Sequence, residues 1–321
     1  MRERILYLPI VSPGTYHDVA LANKRGLRTA FEAVADVFQW DYIASRKELF
    51  VPHFRTAIDA FQPTLIFTQF QGSDWITPTE LHAIRQDFGV PIVNWNGDVW
   101  EHGLVTPDML ALLHEVDLQL VINASVLPIY EREGIRAAFW PFGVEMPNRP
   151  LPEVPSYDVV FLGNNYSEKR QQLYTVLRSL PYKVGIYGSG WAQSEGECNY
   201  DFTYAWALYE NAKICISDNQ FPDAEGYLSD RPWQAMAAGC LVFQQYVKHL
   251  LRWTHIAHHE YVEWHIPDEL PSLIEEYLRI YDTPKVRAIR HSAKDHVLKF
   301  DTFDERVKQL FKMLQGVTHA S

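Results

Sequence analysis

The stretch from Tyr227 to Gln245, YLSDRPWQAMAAGCLVFQQ, constrains the fold more than any other. It reads as a polar loop (Tyr227–Arg231), a helix opening at Pro232, a break at Gly239-Cys240 and a buried strand, Leu241–Phe243. Proline suits a first helical position, where its missing N–H has no intrahelical partner to lose. Ala235, Met236, Ala237 and Ala238 favour the helix and keep it thin, so neighbours can approach closely. Gly239 is a natural stop. The order loop, helix, strand fits an α/β sheet. The loop, the helix N-terminus and Arg231 also make an anion site, because free N–H groups, the positive end of a dipole and a fixed cation meet there. An ordinary sheet connection satisfies the same pattern, so the stretch by itself assigns no activity.

The rest of the chain repeats the alternation. In the first half Arg4–Val11, Phe38–Ile43, Thr64–Gln69, Pro91–Trp95, Leu118–Asn123 and Ala137–Phe142 read as strands. Between them, Val19–Asp36, Leu49–Phe61, Pro78–Phe88, Thr106–Glu115 and Leu127–Glu133 read as helices. A Pro-rich segment, MPNRPLPEVP (Met146–Pro155), follows and reads as a linker. The pattern then restarts with strands Tyr157–Leu162, Val184–Tyr187, Ala212–Ser217, Leu241–Phe243 and Tyr261–Trp264. Its helices are Glu168–Leu180, Thr203–Asn211, Leu270–Tyr281, Lys285–Leu298 and Asp304–Leu314. Strands alternating with helices imply parallel, doubly wound sheets. The expected class is α/β: two doubly wound domains, 1–146 and 156–300, joined by a linker at 147–155, with ligands in an interdomain cleft at the carboxyl ends of the strands.

At 321 residues the chain can form two domains of ordinary size, and 47% hydrophobic with 21% charged residues is globular composition. The net charge of −11 is spread evenly: residues 1–150 hold 12 basic and 18 acidic side chains, the remainder 17 and 22. Neither half is a basic nucleic-acid domain, which leaves room only for a local basic face. Cys198, Cys215 and Cys240 are too few and scattered for a disulfide framework or a zinc site. No apolar run reaches the length of a membrane span. Ile5–Val11 is short for a signal peptide and runs into Ser-Pro-Gly, so the expected location is the cytoplasm. The ten Trp and seventeen Tyr serve either a core or the stacking of bases and sugars.

The run R-P-W-Q-A-M-A-A-G-C-L-V (Arg231–Val242) resembles the "R-x-(F/W)-E-A-(M/L)-A-x-G" helix of nucleotide-sugar glycosyltransferases with two Rossmann-like domains, the GT-B architecture. It most resembles the spore-maturation (CgeB-like) branch, which has bacterial and phage members. The resemblance runs from about Tyr157 to Phe311 and, more loosely, over the first half. It implies an acceptor-side domain at 1–146, a nucleotide-sugar domain at 156–300, and a C-terminal helix at 301–321 returning to the first domain. It also implies that Arg231 lies near the donor diphosphate. Gln234 stands where the family's Glu takes the ribose hydroxyls, and offers one acceptor oxygen. The family's second Glu, eight residues earlier, is Gly226 here, with Glu225 one place off. Gly163 and Asn164, followed by Lys169 and Arg170, resemble the "V-x-F-x-G-x…R" segment; glycine lets backbone approach a phosphate and arginine offers a forked donor set. Tyr187, Gly188 and Ser189, in Y-G-S-G-W, resemble a segment beside the nucleotide base. Ser217–Gln220, Tyr227 and Asp230 are expected near the donor. Plain βα turns, a core Trp and solvated loops account for the same residues.

In the first half, Gly14 can bring backbone to the donor, and His17, beside Asp18, can take a proton from an acceptor hydroxyl. Asp98 matches a family "W-x-x-D" and is the other candidate base, with Asp74 a third. Each also serves as a loop cap. His255, His258, His259 and His265 crowd near Glu260 and Glu263, but without the helical His pair flanking a Glu that holds zinc. The chain also lacks an Asp-x-Asp motif, so no metal site is expected. The leaving diphosphate is then met by Lys169, Arg170, Arg231 and helix N-termini. The resemblance implies transfer of a sugar, glucose first, from a UDP-linked donor to an acceptor hydroxyl, with the nucleotide sugar as co-substrate and no further cofactor. The acceptor is 5-hydroxymethylpyrimidine in DNA, with Asn23–Arg28 and Arg46-Lys47 on phosphates, or a surface polymer or small molecule. A sugar-nucleotide epimerase and a non-catalytic sugar-nucleotide binder fit the same motifs.

Overall fold

The computed structural model describes residues 2–10, 22–42, 46–99, 102–196, 202–219, 221 and 224–315. The chain divides into two compact units: Met1–Val19, Lys24–Phe142 and Arg306–Ser321 form one, and Ala20–Asn23 with Gly143–Glu305 the other. Residues 147–155 carry no helix or strand. No helix among the described residues is long and apolar enough to cross a membrane.

The first unit runs β1 (Glu3–Leu8), α1 (Ala22–Val34), β2 (Ala35–Gln39), α2 (Phe50–Phe61), β3 (Leu65–Thr68), α3 (Pro78–Phe88), β4 (Ile92–Asn96), α4 (Pro107–Leu113), β5 (Leu118–Val121), α5 (Leu127–Arg132) and β6 (Ala137–Phe139). The six strands form one parallel sheet in the order β2-β1-β3-β4-β5-β6. Both faces are buried, as a parallel sheet requires. Leu6, Leu8, Ile66 and Ile92 lie in one core, and Tyr7, Phe31 and Phe67 pack edge to face on the other side. The boundary of β2 moves most tellingly. The strand expected at Phe38–Ile43 starts at Ala35, directly after α1, and pairs from Glu3↔Ala35 to Tyr7↔Gln39. Trp40 and Tyr42 leave the strand because their rings are taken up by Phe50 of α2, at 5.1 and 5.4 Å.

The second unit runs β7 (Tyr157–Leu162), α6 (Glu168–Ser179), β8 (Val184–Tyr187), α7 (Phe202–Glu210), β9 (Ala212–Ser217), α8 (Asp230–Ala237), β10 (Leu241–Gln245), α9 (Leu250–Trp253), β11 (Val262–Trp264), α10 (Leu270–Arg279) and α11 (Pro284–Phe300). Its parallel sheet has the order β11-β10-β9-β7-β8. Alternate residues feed two cores. Phe161, Ile214 and Phe243 meet α6 and α10 through Leu173, Leu177 and Ile274. Val160, Cys215 and Val242 meet α7, α8 and α11 through Trp206, Trp233 and Ala293. The last helix, α12 (Phe303–Gln315), joins the first unit from Arg306 onward. There Arg306 O accepts from Trp140 Nε1 at 3.0 Å, and Met313 O accepts from Arg136 Nη2 at 2.7 Å.

In both sheets the chain reverses its direction of growth once. The reversal falls between β1 and β3 in the first and between β7 and β9 in the second. At such a point neighbouring loops run to opposite sides of the sheet and open a crevice at the carboxyl ends of the strands.

Candidate functional site

At the β7–β9 crevice three cations meet one carboxylate. Asp218 follows β9 directly, and its side chain is 1% exposed. Arg170, in the first turn of α6, is 2% exposed and closes a fork on it: Nε donates to Oδ2 at 2.8 Å and Nη2 to Oδ1 at 3.0 Å. Arg170 Nη1 donates to Asn164 O at 2.6 Å, and the guanidinium lies 4.4 Å from the Tyr166 ring centre. Arg231 Nη2 stands 3.9 Å from Asp218 Oδ1, while its Nη1 donates to Leu162 O at 2.6 Å and its Nε to Ser229 Oγ at 3.2 Å. Lys169 Nζ donates to Asn219 O. Burial alone would raise the Asp218 carboxyl, but Arg170, Arg231 and Lys169 outweigh it and hold it below the usual aspartate value. Lys169 is lowered, first by burial and then by Arg170, against the pull of Asp218.

The turns around this cluster need glycine. A Cβ on Gly163 would lie 2.4 Å from Arg231 Nη1. On Gly188, whose φ is +134°, it would lie 2.2 Å from Gly163 O. The β7 and β8 turns are therefore packed backbone to backbone. Asn164 Oδ1 accepts from Ser189 N at 2.9 Å, and Gly163 O accepts from Trp191 Nε1 at 2.7 Å.

Helix α8 begins at Asp230, two residues before Pro232, with Ser229 as its N-cap. Proline still falls in the first turn, where an absent N–H costs nothing. The Ser229 hydroxyl makes no cap bond to the helix and accepts instead from Arg231. Gln234 is buried, and its Nε2 donates to Asp230 Oδ2 at 3.1 Å. Burial pushes the Asp230 carboxyl up, more than Arg231, the first-turn amides and Gln234 draw it down.

The structure thus brings Gly163, Asn164, Lys169, Arg170, Gly188, Ser189 and Arg231 to one crevice, with Gln234 one turn behind Arg231 on α8. Two side chains sit otherwise than a ligand contact would need. Tyr187 points into the core, where its hydroxyl lies 2.9 Å from that of Tyr157. The Arg170 fork is closed on Asp218. Tyr227 is half-buried and meets Phe221 edge to face at 6.0 Å. Sequence reasoning placed Asp218 near the donor without a role; the signals were a polar run after a buried strand and the family resemblance.

In the first unit Asp98 follows β4. Its backbone N–H donates to Asn96 Oδ1 at 2.9 Å, and its carboxylate accepts from Gln71 Nε2. The residue is exposed overall, but crowding round the carboxyl raises its pKa by desolvation, against the lowering effect of Gln71. Asp74 is exposed on the loop after β3, where Ser73 Oγ donates to Asp108 at 2.6 Å. Gly14 and His17 lie outside the described residues. A recess of about 470 Å³ between Phe38, Trp40, His53 and Phe61 borders β2, three strands from β4 in the sheet, and contributes nothing to this site.

Among the described residues no three His, Cys, Asp or Glu side chains are grouped to hold a metal ion. The crowded histidines are spread over separate pairings. His265 meets Glu263 at 3.4 Å, and His259 lies 3.5 Å from the Ser292 hydroxyl. Glu260 accepts from His296 and Ser292 at 3.0 and 2.9 Å.

Residues 154–312 match the family model described as "Glycosyl transferase-like". No curated protein matches the chain. Among solved structures it is similar to sucrose-phosphate synthase from Thermosynechococcus elongatus, at TM-score 0.66 and 16% identity over 100% of both chains. It is similar to Anabaena HepE in complex with UDP and glucose, at TM-score 0.65 and 13% identity over 98% of this chain and 100% of that one. A putative UDP-N-acetylglucosamine 2-epimerase from Listeria monocytogenes shares the fold at TM-score 0.56 and 8% identity, over 100% and 98%. Residues 154–312 therefore carry a glycosyl transferase-like domain, and the chain has the α/β fold of the GT-B glycosyltransferases, with two Rossmann-like domains.

Proposed function

We propose that the protein is a glycosyltransferase that moves a sugar from a nucleoside diphosphate sugar to an acceptor hydroxyl. The observation that carries this is the cationic crevice at the β7–β9 reversal: Lys169, Arg170 and Arg231 around one carboxylate, beside glycine turns and the N-terminus of α8. Such a place favours a diphosphate, and favours it more as charge builds on the leaving oxygen. Arg231 is the direct contact, since its side chain is 23% exposed while that of Arg170 is 2%. UDP is the first choice of nucleotide and glucose of sugar, by likeness to the HepE complex. Guanidinium, ammonium and amide groups meet the leaving diphosphate, with no metal ion required.

On the acceptor side Asp98 is the base. It takes the hydroxyl proton as oxygen attacks the anomeric carbon and the nucleoside diphosphate departs with its bonding electrons. His17 is the other candidate. Membership of the spore-maturation branch would make the acceptor a surface polymer or hydroxymethylated pyrimidine in DNA. Among candidate phosphate contacts Arg28 is tied to Glu32 at 2.7 Å, while Arg46 and Lys47 are exposed. The net charge of −11 favours the non-DNA acceptor.

The test is a thermal-shift screen with UDP-, GDP- and TDP-sugars, followed by nucleotide release against hydroxyl-bearing acceptors. Stabilisation by one nucleotide sugar and acceptor-dependent release of its nucleotide are expected. DNA as acceptor would add a steep fall of affinity with salt. The Listeria likeness favours epimerisation as the second reading; a donor converted to its epimer with no acceptor present would establish it. Stabilisation without release or conversion leaves a binder.

A further inference from the structure

We infer that Asp218 is a positioning residue of this site: it touches no part of the donor, and by locking Arg170 it sets where Arg231 and Lys169 stand. This rests on the donor reading above. Three donors of Arg170 are spent inside the protein, two on Asp218 and one on Asn164 O. The rings of Tyr166 and Phe161 flank its guanidinium at 4.4 and 5.7 Å. Arg170 reaches a ligand only by taking its hydrogen bonds off a buried carboxylate, which proteins avoid. It therefore works as a fixed brace between α6, β9 and the β7 turn.

The Arg170 fork places one hydrogen bond on each oxygen of Asp218, while Arg231 stands 3.9 Å from Oδ1, attracted but outside hydrogen-bond reach. Arg231 is held from its other side by Leu162 O, and Lys169 by the carbonyl of Asn219, the residue after Asp218. The end of one strand thus arranges cations from α6 and α8. Without that carboxylate the cations would repel one another at short range. With it they stay together and keep a positive excess for a ligand.

Two roles for Asp218 predict opposite results. A mere counter-charge, once removed, leaves a more cationic site that binds every anion more tightly. A positioning residue, once removed, loses the diphosphate while inorganic phosphate is little affected. The double variant Arg170→Met with Asp218→Leu separates them cleanly, because it removes one charge of each sign and leaves the net charge of the site unchanged. Apolar replacement of a buried pair is often neutral for folding.

The experiment measures UDP and inorganic phosphate binding by calorimetry, donor KM and kcat, and melting temperature, on the full chain. The expected result is a UDP Kd and donor KM raised about tenfold or more. The phosphate Kd stays within about twofold, kcat changes less than KM, and the melting temperature stays near that of the parent. A folded double variant whose UDP Kd is within about twofold of the parent's overturns the inference. A lower melting temperature with unchanged UDP affinity does the same, because it is what a purely structural role gives. Should the double variant not fold, Arg170→Lys keeps the charge but loses the fork and is judged by the same thresholds. Arg231→Ala runs in parallel. If it too leaves UDP affinity unchanged, the donor reading falls; if it weakens UDP while the double variant does not, only the inference about Asp218 falls.

Discussion

Arg231 and Arg170 share a carboxylate yet face different surroundings, with side chains 23% and 2% exposed. Arg231→Ala removes a charged hydrogen-bond donor from the ligand while the Arg170–Asp218 pair stays closed. Donor binding should weaken by about 1–3 kcal/mol, read by calorimetry with UDP. Asp98 makes a second prediction. Its pKa is raised, chiefly by desolvation, and only the ionised form is a base. Activity should therefore rise with pH through a value above the ordinary 3.8, placing the acid limb of kcat higher than for a solvated aspartate. Asp98→Asn should abolish transfer and leave UDP affinity unchanged; a transfer rate equal to the parent's would remove Asp98 from the chemistry. The place of Asp98 in a loop after a strand was legible beforehand, because it is a local property of the sequence. The pairing of Asp218 with Arg170 was not, because it joins residues 48 positions apart.

Ala235, Ala237 and Ala238 give helix α8 small side chains where it is buried. Trp233, Ala235, Met236 and Ala237 are all buried, between the sheet and its neighbouring helices. Ala237→Leu should overpack this layer and cost about 1–3 kcal/mol, seen as a lower urea midpoint at unchanged slope. The short polar-to-apolar switch in the sequence foretold helix and following strand, but not the start at Asp230. That boundary depends on Ser229 capping with its backbone while its hydroxyl serves Arg231. The short α9 went unread because four residues, Leu250–Trp253, are too few to show a helical period. The β2 shift has a similar source, since two aromatic residues beyond the strand have a strand-like composition and a tertiary reason to leave it.

On the scale of the whole molecule, the chain's end is part of its beginning. Val307 and Leu310 are buried, and Arg306 Nε donates to Pro141 O at 3.1 Å. Deleting residues 306–321 uncovers Trp140 and forfeits about 1.5–3 kcal/mol for each of those two side chains, so the first unit should unfold at lower denaturant, with red-shifted tryptophan emission. Acid should act differently on the second unit. Asp218 has a folded pKa below its ordinary 3.8, so its contribution is complete above that pH and is lost only as the pH falls through the lower folded value. In an acid titration the share of the second unit's stability that comes from Asp218 should be lost only below pH 3.8, and Asp218→Asn should remove that part of the acid dependence.

Hydrophobic runs of strand length, helical periods and glycine or proline breaks are local properties, so the alternation of strands and helices, and with it two doubly wound sheets, was already determined by the order of residues. So were the positions of Gly163 and Gly188 just after strands and of Arg231 at the opening of a helix. Strand order is not local. Only the folded chain sets β9 beside β7, and only that neighbour relation joins Asp218 to Arg170 and leaves Arg231 beside them at 3.9 Å. Which of three similar cations stays partly exposed and which is locked inside the protein is therefore decided by tertiary structure, because burial and pairing depend on neighbours in space.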